Sequence, residues 1–357
     1  MPEQRGILQR GPQLPDGWAA RVPVLADIEA LVELLSRHQQ AAVGSGSVDA
    51  DAVATEAAGI GSWTRRQLVV LDDHDQLQAW ARVHDRAAGR TVIAVDVDPS
   101  CHEDELARSL FAWAEGAAVE IAGQRHLTST LLDSGAYAGD QRQREWLAGA
   151  GYQQVRTWLQ MSRPVLPEEA EPGALPPLRE GVRVRSVAEH ENGLPLAADL
   201  QTVHQLLEES FVDHFNSYRE SFPEFVQRLR EDPGHRWDHW WIATVDIDGV
   251  DVPAGALVST VLPADVLGTP GSYVDYIGVH RRARGRGVAK ALLYTVIADA
   301  ARRGRNRVGL EVDADSPTNA DALYTSMGWQ SLYRTESWHR TVSTVAASDG
   351  NAGDTGG

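Results

Sequence analysis

The residues best suited to chemistry form one short run, Val279-His-Arg-Arg-Ala-Arg284-Gly285-Arg286-Gly287-Val288-Ala289-Lys290. Four arginines fall within 281–286, in a chain that carries 33 basic against 50 acidic side chains. Apolar residues lead in and out, so the run reads as strand, glycine turn and helix. A helix start offers unpaired N–H groups and partial positive charge, and glycines let a ligand approach the main chain. Together they suit an anion such as a phosphate. Taken alone, the run equally fits a solvated basic turn before an ordinary helix. His235 and His239 are four apart, a spacing seen at metal sites. No third ligand is evident beside Trp237, Trp240 and Trp241, and no metal is expected.

Several elements must position the run. Gly271 to Val279 alternates as a strand into the turn, and Val288 to Arg303 is helical, with Arg302 and Arg303 against its C-terminal dipole and Gly304 as its stop. Arg307 to Asp313 is a strand. Ser316 and Pro317 open the next helix as cap and first residue, and it passes Leu323-Tyr324 to stop at Gly328. Upstream lie a strand at Val182 to Arg185, helices near 197–211 and 223–230, and strands at 240–245 and 254–262. The first half gives helices at 25–40 and 48–58, a hairpin of 67–71 with 77–83, and a strand at 91–97. A helix at 105–122, a strand at 127–132, a helix near 143–147 and a strand at 153–161 complete it.

The order β-α-α-β-β-β-α-β-α-β thus occurs twice, with a faint first strand in the first half. Val97 to Leu110 falls on Val279 to Leu292 at an offset of 182, and Leu147 to Tyr152 falls on Tyr324 to Trp329 at an offset of 177. The expected fold class is α/β (α+β mixed sheet): two tandem domains, each a mixed, mostly antiparallel sheet flanked by helices. The expected domains are 18–163 and 181–342, joined by a Pro- and Glu-rich extended linker at 164–180. A loose arm at 1–17 and a disordered tail at 343–357 flank them.

A length of 357 residues fits two domains. With 43% hydrophobic residues there is ample material for packed cores. No apolar run is long enough to span a membrane, and no secretory signal is read at the N-terminus. Cys101 is the one cysteine, which excludes an intramolecular disulfide or a cysteine-based metal cluster. A cytoplasmic protein is expected. The net charge of −17 argues against nucleic-acid partners. It fits a solvated surface and is compatible with a small cationic substrate.

At these residues the sequence resembles the GNAT superfamily of acyl-CoA N-acyltransferases. That family carries Gln/Arg-x-x-Gly-x-Gly/Ala between a strand and a helix, matched here by Arg284-Gly285-Arg286-Gly287-Val288-Ala289. A second mark, Leu-Tyr-x-x-x-Gly-Phe/Trp, is matched by Leu323-Tyr324-Thr-Ser-Met-Gly328-Trp329. The resemblance covers roughly residues 180–340; residues 18–163 share it by element order and the repeat. Fused copies of this kind resemble the tandem GNAT proteins of which mycothiol synthase is the best-known type.

The resemblance implies an acetyl-CoA-dependent N-acetyltransferase of a small-molecule amine, with acetyl-CoA as co-substrate. Its pyrophosphate would rest on Arg284, Gly285, Arg286, Gly287, Val288, Ala289 and Lys290. Its pantetheine would run along Ile277, Gly278 and Val279, where the strand parts from its neighbour. An oxyanion donor would come from a backbone N–H in that stretch. Tyr324 matches the family's general-acid tyrosine. Asp275, on the same strand face as Ile277 and Val279, and then Glu311, which shares a face with Asp313, are candidate bases; each also fits a structural carboxylate. The family's Asn falls at Pro317, so Asn319 and Ser316 are the nearest substitutes for its pantetheine contact. No Glu within Ser272 to Val279 matches the acceptor-holding Glu of mycothiol synthases, so that activity is not favoured. Asp213, His214 and Tyr218 fall in the acceptor-lining region.

In the first copy Arg284 becomes His102, Gly287 becomes Glu105, Lys290 becomes Arg108 and Tyr324 becomes Leu147, while Glu103, Asp104 and Glu105 add negative charge. This half is therefore expected not to hold acetyl-CoA. The rival reading is a non-catalytic acyl-CoA-binding or interaction module, which Tyr324 tells apart. A monomer or a homodimer fits equally.

Overall fold

A computed structural model describes residues 11–86, 89–102, 104–211, 220–315 and 320–344. The chain divides into two compact units. The first holds Gly61–Val155, with the chain up to Gly46 and from Ser337; the second holds Arg156–Glu336 and Ser47–Ile60. The chain therefore changes unit inside a strand, at 155–156, and again inside the last strand, at 336–337, rather than at 164–180.

The elements of the first half are β1 (Ala19–Arg21), α1 (Ile28–Val43), α2 (Ala50–Ala57), β2 (Arg65–Leu71), β3 (Leu77–Asp85), β4 (Arg90–Val97), α3 (Asp104–Gln124), β5 (Ser129–Tyr137), α4 (Gln141–Gly149) and β6 (Gln153–Pro164). The second half supplies β7 (Val182–Ser186), α5 (Ala197–Ser210), α6 (Phe222–Arg230), β8 (His235–Ile247), β9 (Val250–Leu262) and β10 (Gly271–Val279). It continues with α7 (Val288–Arg302), β11 (Arg307–Asp313), α8 (Ala320–Ser326) and β12 (Gln330–Ser343). The faint first strand of the first half is β1, three residues against the edge of β2.

Within the first unit the strand order is β1-β2-β3-β4-β5, followed by the end of β12. The pairs from β1 to β4 are antiparallel, and β4 and β5 run parallel. Leu106, Leu110, Ala114 and Ala117 recur at helical spacing on α3 and are fully buried against Val83, Ile93 and Val95.

The second unit orders its strands β12-β6-β11-β10-β9-β8-β7. Here β10 and β11 are parallel, and β11–β6, β10–β9, β9–β8 and β8–β7 are antiparallel. Two apolar clusters cover the two faces of this sheet. On one, α7 buries Val288, Leu292, Leu293, Val296 and Ile297 against Leu257, Val274, Val308 and Leu310. On the other, Leu200, Val203 and Leu207 of α5 and Phe225 and Leu229 of α6 cover Trp240, Ile242, Ala256 and Val258.

The segment 164–180 is more than a spacer. Val165 is buried in the α7 cluster, with Ala170 and Leu175 packed on it. Pro167–Ala170 forms a 3-10 turn, and Glu169 of that turn pairs with Arg163. Apolar residues set among the prolines have a helix face to cover, which the composition alone conceals.

Candidate active site

The turn after β10 has the geometry of an anion cradle. His280 accepts from the Arg282 N–H at 3.2 Å and closes a 3-10 turn over Arg281–Ala283. Gly285 at φ +78° and Gly287 at φ +87° hold a left-handed backbone that other residues adopt at a cost. Gly287 directly precedes α7, and no side chain caps that helix. Its opening N–H groups are therefore available. The N–H groups of Arg284 and Arg286 bond back to Arg281 and Ala283 at 3.4 and 3.3 Å, long contacts. Arg281, Arg282, Arg284, Arg286 and Lys290 are exposed, and among the described residues none forms an ion pair.

One cation at the turn escapes sequence reasoning. Arg179, 106 positions from Gly285, donates to its carbonyl at 2.7 Å. A Cβ on Gly287 would lie 2.8 Å from Arg179 Cδ. No local motif marks this arginine; only the packing of 164–180 along α7 delivers it.

Beside the turn, the sheet opens. β10 and β11 pair only over Ser272–Val274 and Val308–Leu310, although both strands continue to Val279 and Asp313. The His280 N–H donates to Ala254 O at 2.9 Å, on the β9 side. Main-chain groups alternate between the two edges of a strand. Ile277 and Val279 therefore turn theirs toward the opening.

The parting coincides with an irregularity. Val274 lies opposite Ser259 and Tyr276 opposite Val258, so Asp275 is an extra residue in β10. Such a bulge bends the strand and reverses the alternation beyond it. Asp275 consequently does not share a face with Ile277 and Val279. Those two pack toward α7, whereas Asp275 lies with Thr260 and Tyr276 on the α5–α6 face. There Arg228 bonds the Tyr276 hydroxyl at 2.9 Å and forks onto Glu220. Gly278 also faces α5: a Cβ there would lie 3.0 Å from Leu207 and Ser210, so glycine permits this close approach.

Asp275 Oδ2 is buried with no hydrogen-bond partner among the described residues. Burial, and then the charge of Asp232, push this carboxyl up to about 8, against the Thr260 hydroxyl and Arg228. Glu311 is on the same face, since Val308, Leu310 and Val312 of β11 point toward α7. Its surface is exposed, yet the protein around it raises its carboxyl, opposed by hydrogen bonds from Gln160 and Thr335. Asp313 is buried, 3.5 Å from Arg156.

Tyr324 is on the α7 side. Its ring is buried edge-on to Trp329, with centroids 5.9 Å apart, and its hydroxyl makes no hydrogen bond among the described residues. Burial alone pushes that hydroxyl up to about 12. The structure thus places Tyr324 and the two carboxylates on opposite faces of the sheet. Asn319, Ser316, Pro317, Asp213, His214 and Tyr218 lie outside the described residues, as does Glu103.

Residues 200–329 match the model of the acetyltransferase (GNAT) family. Over these residues, roughly a third of the chain, the protein is similar to a GNAT acetyltransferase domain. Domains of this class transfer acyl groups from acyl-CoA to nitrogen, and the glycine turn, the parted strands and Tyr324 all lie within the matched residues. No curated protein matches the chain. Among solved structures it is similar to a GCN5-related N-acetyltransferase from Sphaerobacter thermophilus, with 23% identity, 93% of this chain and 98% of that chain covered, and a TM-score of 0.71. It is also similar to a tandem GNAT protein from the clavulanic acid biosynthesis pathway, at 14% identity, 92% and 99% coverage and a TM-score of 0.64. At such identities the likeness establishes the fold, here over nearly the whole of both chains.

In the first unit the main-chain groups and side chains near the end of β4 are engaged by other side chains. β4 and β5 also part, after Ile93 and Ser134. Asp96, which stands where the GNAT domain has Gly278, binds Arg82 and the buried His38 of α1, at 2.8 Å to the latter. The other ring nitrogen of His38 meets Asp140 at 2.8 Å. Arg142 donates to the carbonyls of Val97, Asp98, Pro99 and Cys101 at 3.1, 3.1, 3.4 and 2.8 Å. At the offset of 177, Arg142 falls on Asn319. Glu105 pairs with Arg108 at 2.7 Å, and Leu147 is fully buried.

His235 and His239 do not converge. His235 packs with Trp237 and Trp240, while His239 is engaged by Asp238 and Arg305. Among the described residues no three His, Cys, Asp or Glu side chains are arranged to hold a metal. No described helix is long and apolar enough to cross a membrane.

Proposed function

We propose that the protein is an acetyl-CoA-dependent N-acetyltransferase that acts on a primary amine of a small molecule, with its second unit catalytic. The observation that carries this reading is the parting of β10 and β11 beside a turn of unpaired cations. A long anionic donor needs both features together. Its pyrophosphate would take the opening N–H groups of α7 and the charges of Arg284, Arg286 and Lys290, with Arg179 as an added cation. Its pantetheine amides would pair with the free main-chain groups of Ile277 and Val279, and Asn319 remains a candidate contact.

The chemistry is a direct attack. The neutral amine nitrogen bonds to the thioester carbonyl carbon, and the oxyanion that forms is held by a main-chain N–H of β10 between Ile277 and Val279. The C–S bond then breaks and the thiolate takes a proton from Tyr324. Asp275, or Glu311 after it, accepts the amine proton, directly or through water, from the opposite face. Both carboxylates are raised toward neutrality, as suits a base.

The first unit is, in this reading, a degenerate copy that holds no acyl-CoA. Arg142 already occupies the main-chain carbonyls at the end of β4, and Asp96 beside them is bound by His38 and Arg82. The protein would work in the cytoplasm as a monomer or homodimer. Incubating it with acetyl-CoA and a panel of amines while following free thiol tests the assignment. Thiol release that depends on an amine is expected; none with any amine, while acetyl-CoA still binds, favours a binding module instead.

A further inference from the structure

Tyr324 stands at the end of its helix, and its own main chain is part of the helix stop. α8 is described over seven residues, Ala320–Ser326, and an isolated helix of that size does not hold its shape in water. It closes around Gly328, at φ +96°. The Gly328 N–H donates to Thr325 O at 3.1 Å, and the Trp329 N–H donates to Tyr324 O at 3.1 Å. The Tyr324 hydroxyl has no hydrogen bond among the described residues to aim it. Its place therefore depends on this stop and on the Trp329 ring beside it.

Arg163, near the end of β6, touches both. Its Nε donates at 2.8 Å to Met327 O, one of the carbonyls that a helix end leaves unpaired. Its guanidinium lies 5.8 Å from the centre of the Trp329 ring. Glu169, in the turn Pro167–Ala170, takes the other two nitrogens in a fork and also accepts the Leu166 N–H at 2.9 Å. Both side chains of the pair are largely buried, so the guanidinium has little freedom to let go.

The first unit holds the same device without a tyrosine. At the offset of 177, Arg163 falls on Arg340, Met327 on Ala150 and Gly328 on Gly151. Arg340 donates to Ala150 O at 2.7 Å and forks onto Glu115 at 2.7 and 3.1 Å, while Leu147 stands in the place of Tyr324. We infer that Arg163, held by Glu169, is a positioning residue for acyl transfer: by fixing the stop of α8 and Trp329, it holds the Tyr324 hydroxyl where the leaving thiolate needs its proton. Arg340 and Glu115 tie down a helix end that carries no reacting group. The inference rests on the transferase reading above and adds the residues that aim its acid.

Arg163→Lys keeps the charge and loses the fork; Glu169→Gln keeps the shape and loses the charge. In the full chain, with thiol release from acetyl-CoA and an amine acceptor as the assay, each should lower kcat about tenfold, within the 10²-fold that a misplacement of about 1 Å can cost. KM for acetyl-CoA should stay unchanged. Melting curves show which variant keeps the wild-type fold, and that one decides. The deciding readout is a double-mutant cycle: in the Tyr324→Phe background neither change should lower kcat by more than about twofold further. Arg340→Lys, the matching change in the first unit, should leave kcat at the wild-type value. A loss of the same size in the Tyr324→Phe background, an unchanged kcat, or an equal loss from Arg340→Lys overturns the inference and leaves the transferase intact. A wild type that releases no thiol with any amine overturns both, and full turnover by Tyr324→Phe removes the acid and the inference with it.

Discussion

Replacing Tyr324 with Phe isolates the one atom on which the transferase reading differs from a binding module. The tyrosine ring is buried against Trp329, and its hydroxyl bonds nothing among the described residues. Removing that oxygen breaks no hydrogen bond among the described residues and leaves the buried ring in place, so stability should move by no more than about 1 kcal/mol. The chemical step should suffer far more. A positioned acid contributes about 10²- to 10⁴-fold, which at 1.36 kcal/mol per decade is roughly 3 to 5 kcal/mol of barrier. Thiol release gives kcat, and calorimetry gives the affinity for acetyl-CoA. The expected pattern is a fall of at least tenfold in kcat with binding and melting temperature unchanged. An unchanged kcat would remove Tyr324 from the mechanism, and a parallel loss of binding would make it a packing residue.

Three further outcomes follow from the same structure. Burial, and then the charge of Asp232, push Asp275 up to about 8, so kcat/KM should rise with pH up to about 8 and level off; Asp275→Asn should abolish that limb in a pH–rate profile. In the first unit His38 is raised to about 9 by Asp140 and Asp96, against burial. A raised folded value means that its stabilisation, about 3 kcal/mol at 1.36 per unit, is complete below the ordinary value near 6.5 and lost as pH passes 9. Denaturant midpoints of wild type and His38→Ala should therefore converge at alkaline pH. Arg142→Ala should lower the melting temperature of the first unit by uncovering four carbonyls. It should not create a second acyl-CoA site, because His102 and Glu105 remain at the turn; scanning calorimetry with and without acetyl-CoA reads both.

The parts of the site legible in the sequence are those written in neighbouring residues. β10 and β11 run over the residues that their alternation predicts, because flanking glycines and polar turns fix their ends. The glycine turn before α7 was equally plain, since it needs Gly285 and Gly287 in sequence. The orientation of Asp275 was not. Val274-Asp275-Tyr276-Ile277 sets polar Asp275 in phase with Ile277 and Val279 if the strand is regular, and the extra residue that reverses its face is located only against β9. Arg179 and Arg142 act on main-chain groups far away in sequence, with no motif to mark them. The interleaving of the two units depends on where β6 and β12 find partners, which local propensity does not specify.

One acyl-CoA cradle is proposed for this chain, at the Arg284–Lys290 turn. Titrating acetyl-CoA into the full chain by isothermal calorimetry tests it most directly, beside a variant with Arg284→Glu and Arg286→Glu, two exposed changes that spare the core. One site per chain is expected, with binding lost in the variant and its melting temperature kept. Two sites per chain, or one that survives the double charge reversal, would contradict the account.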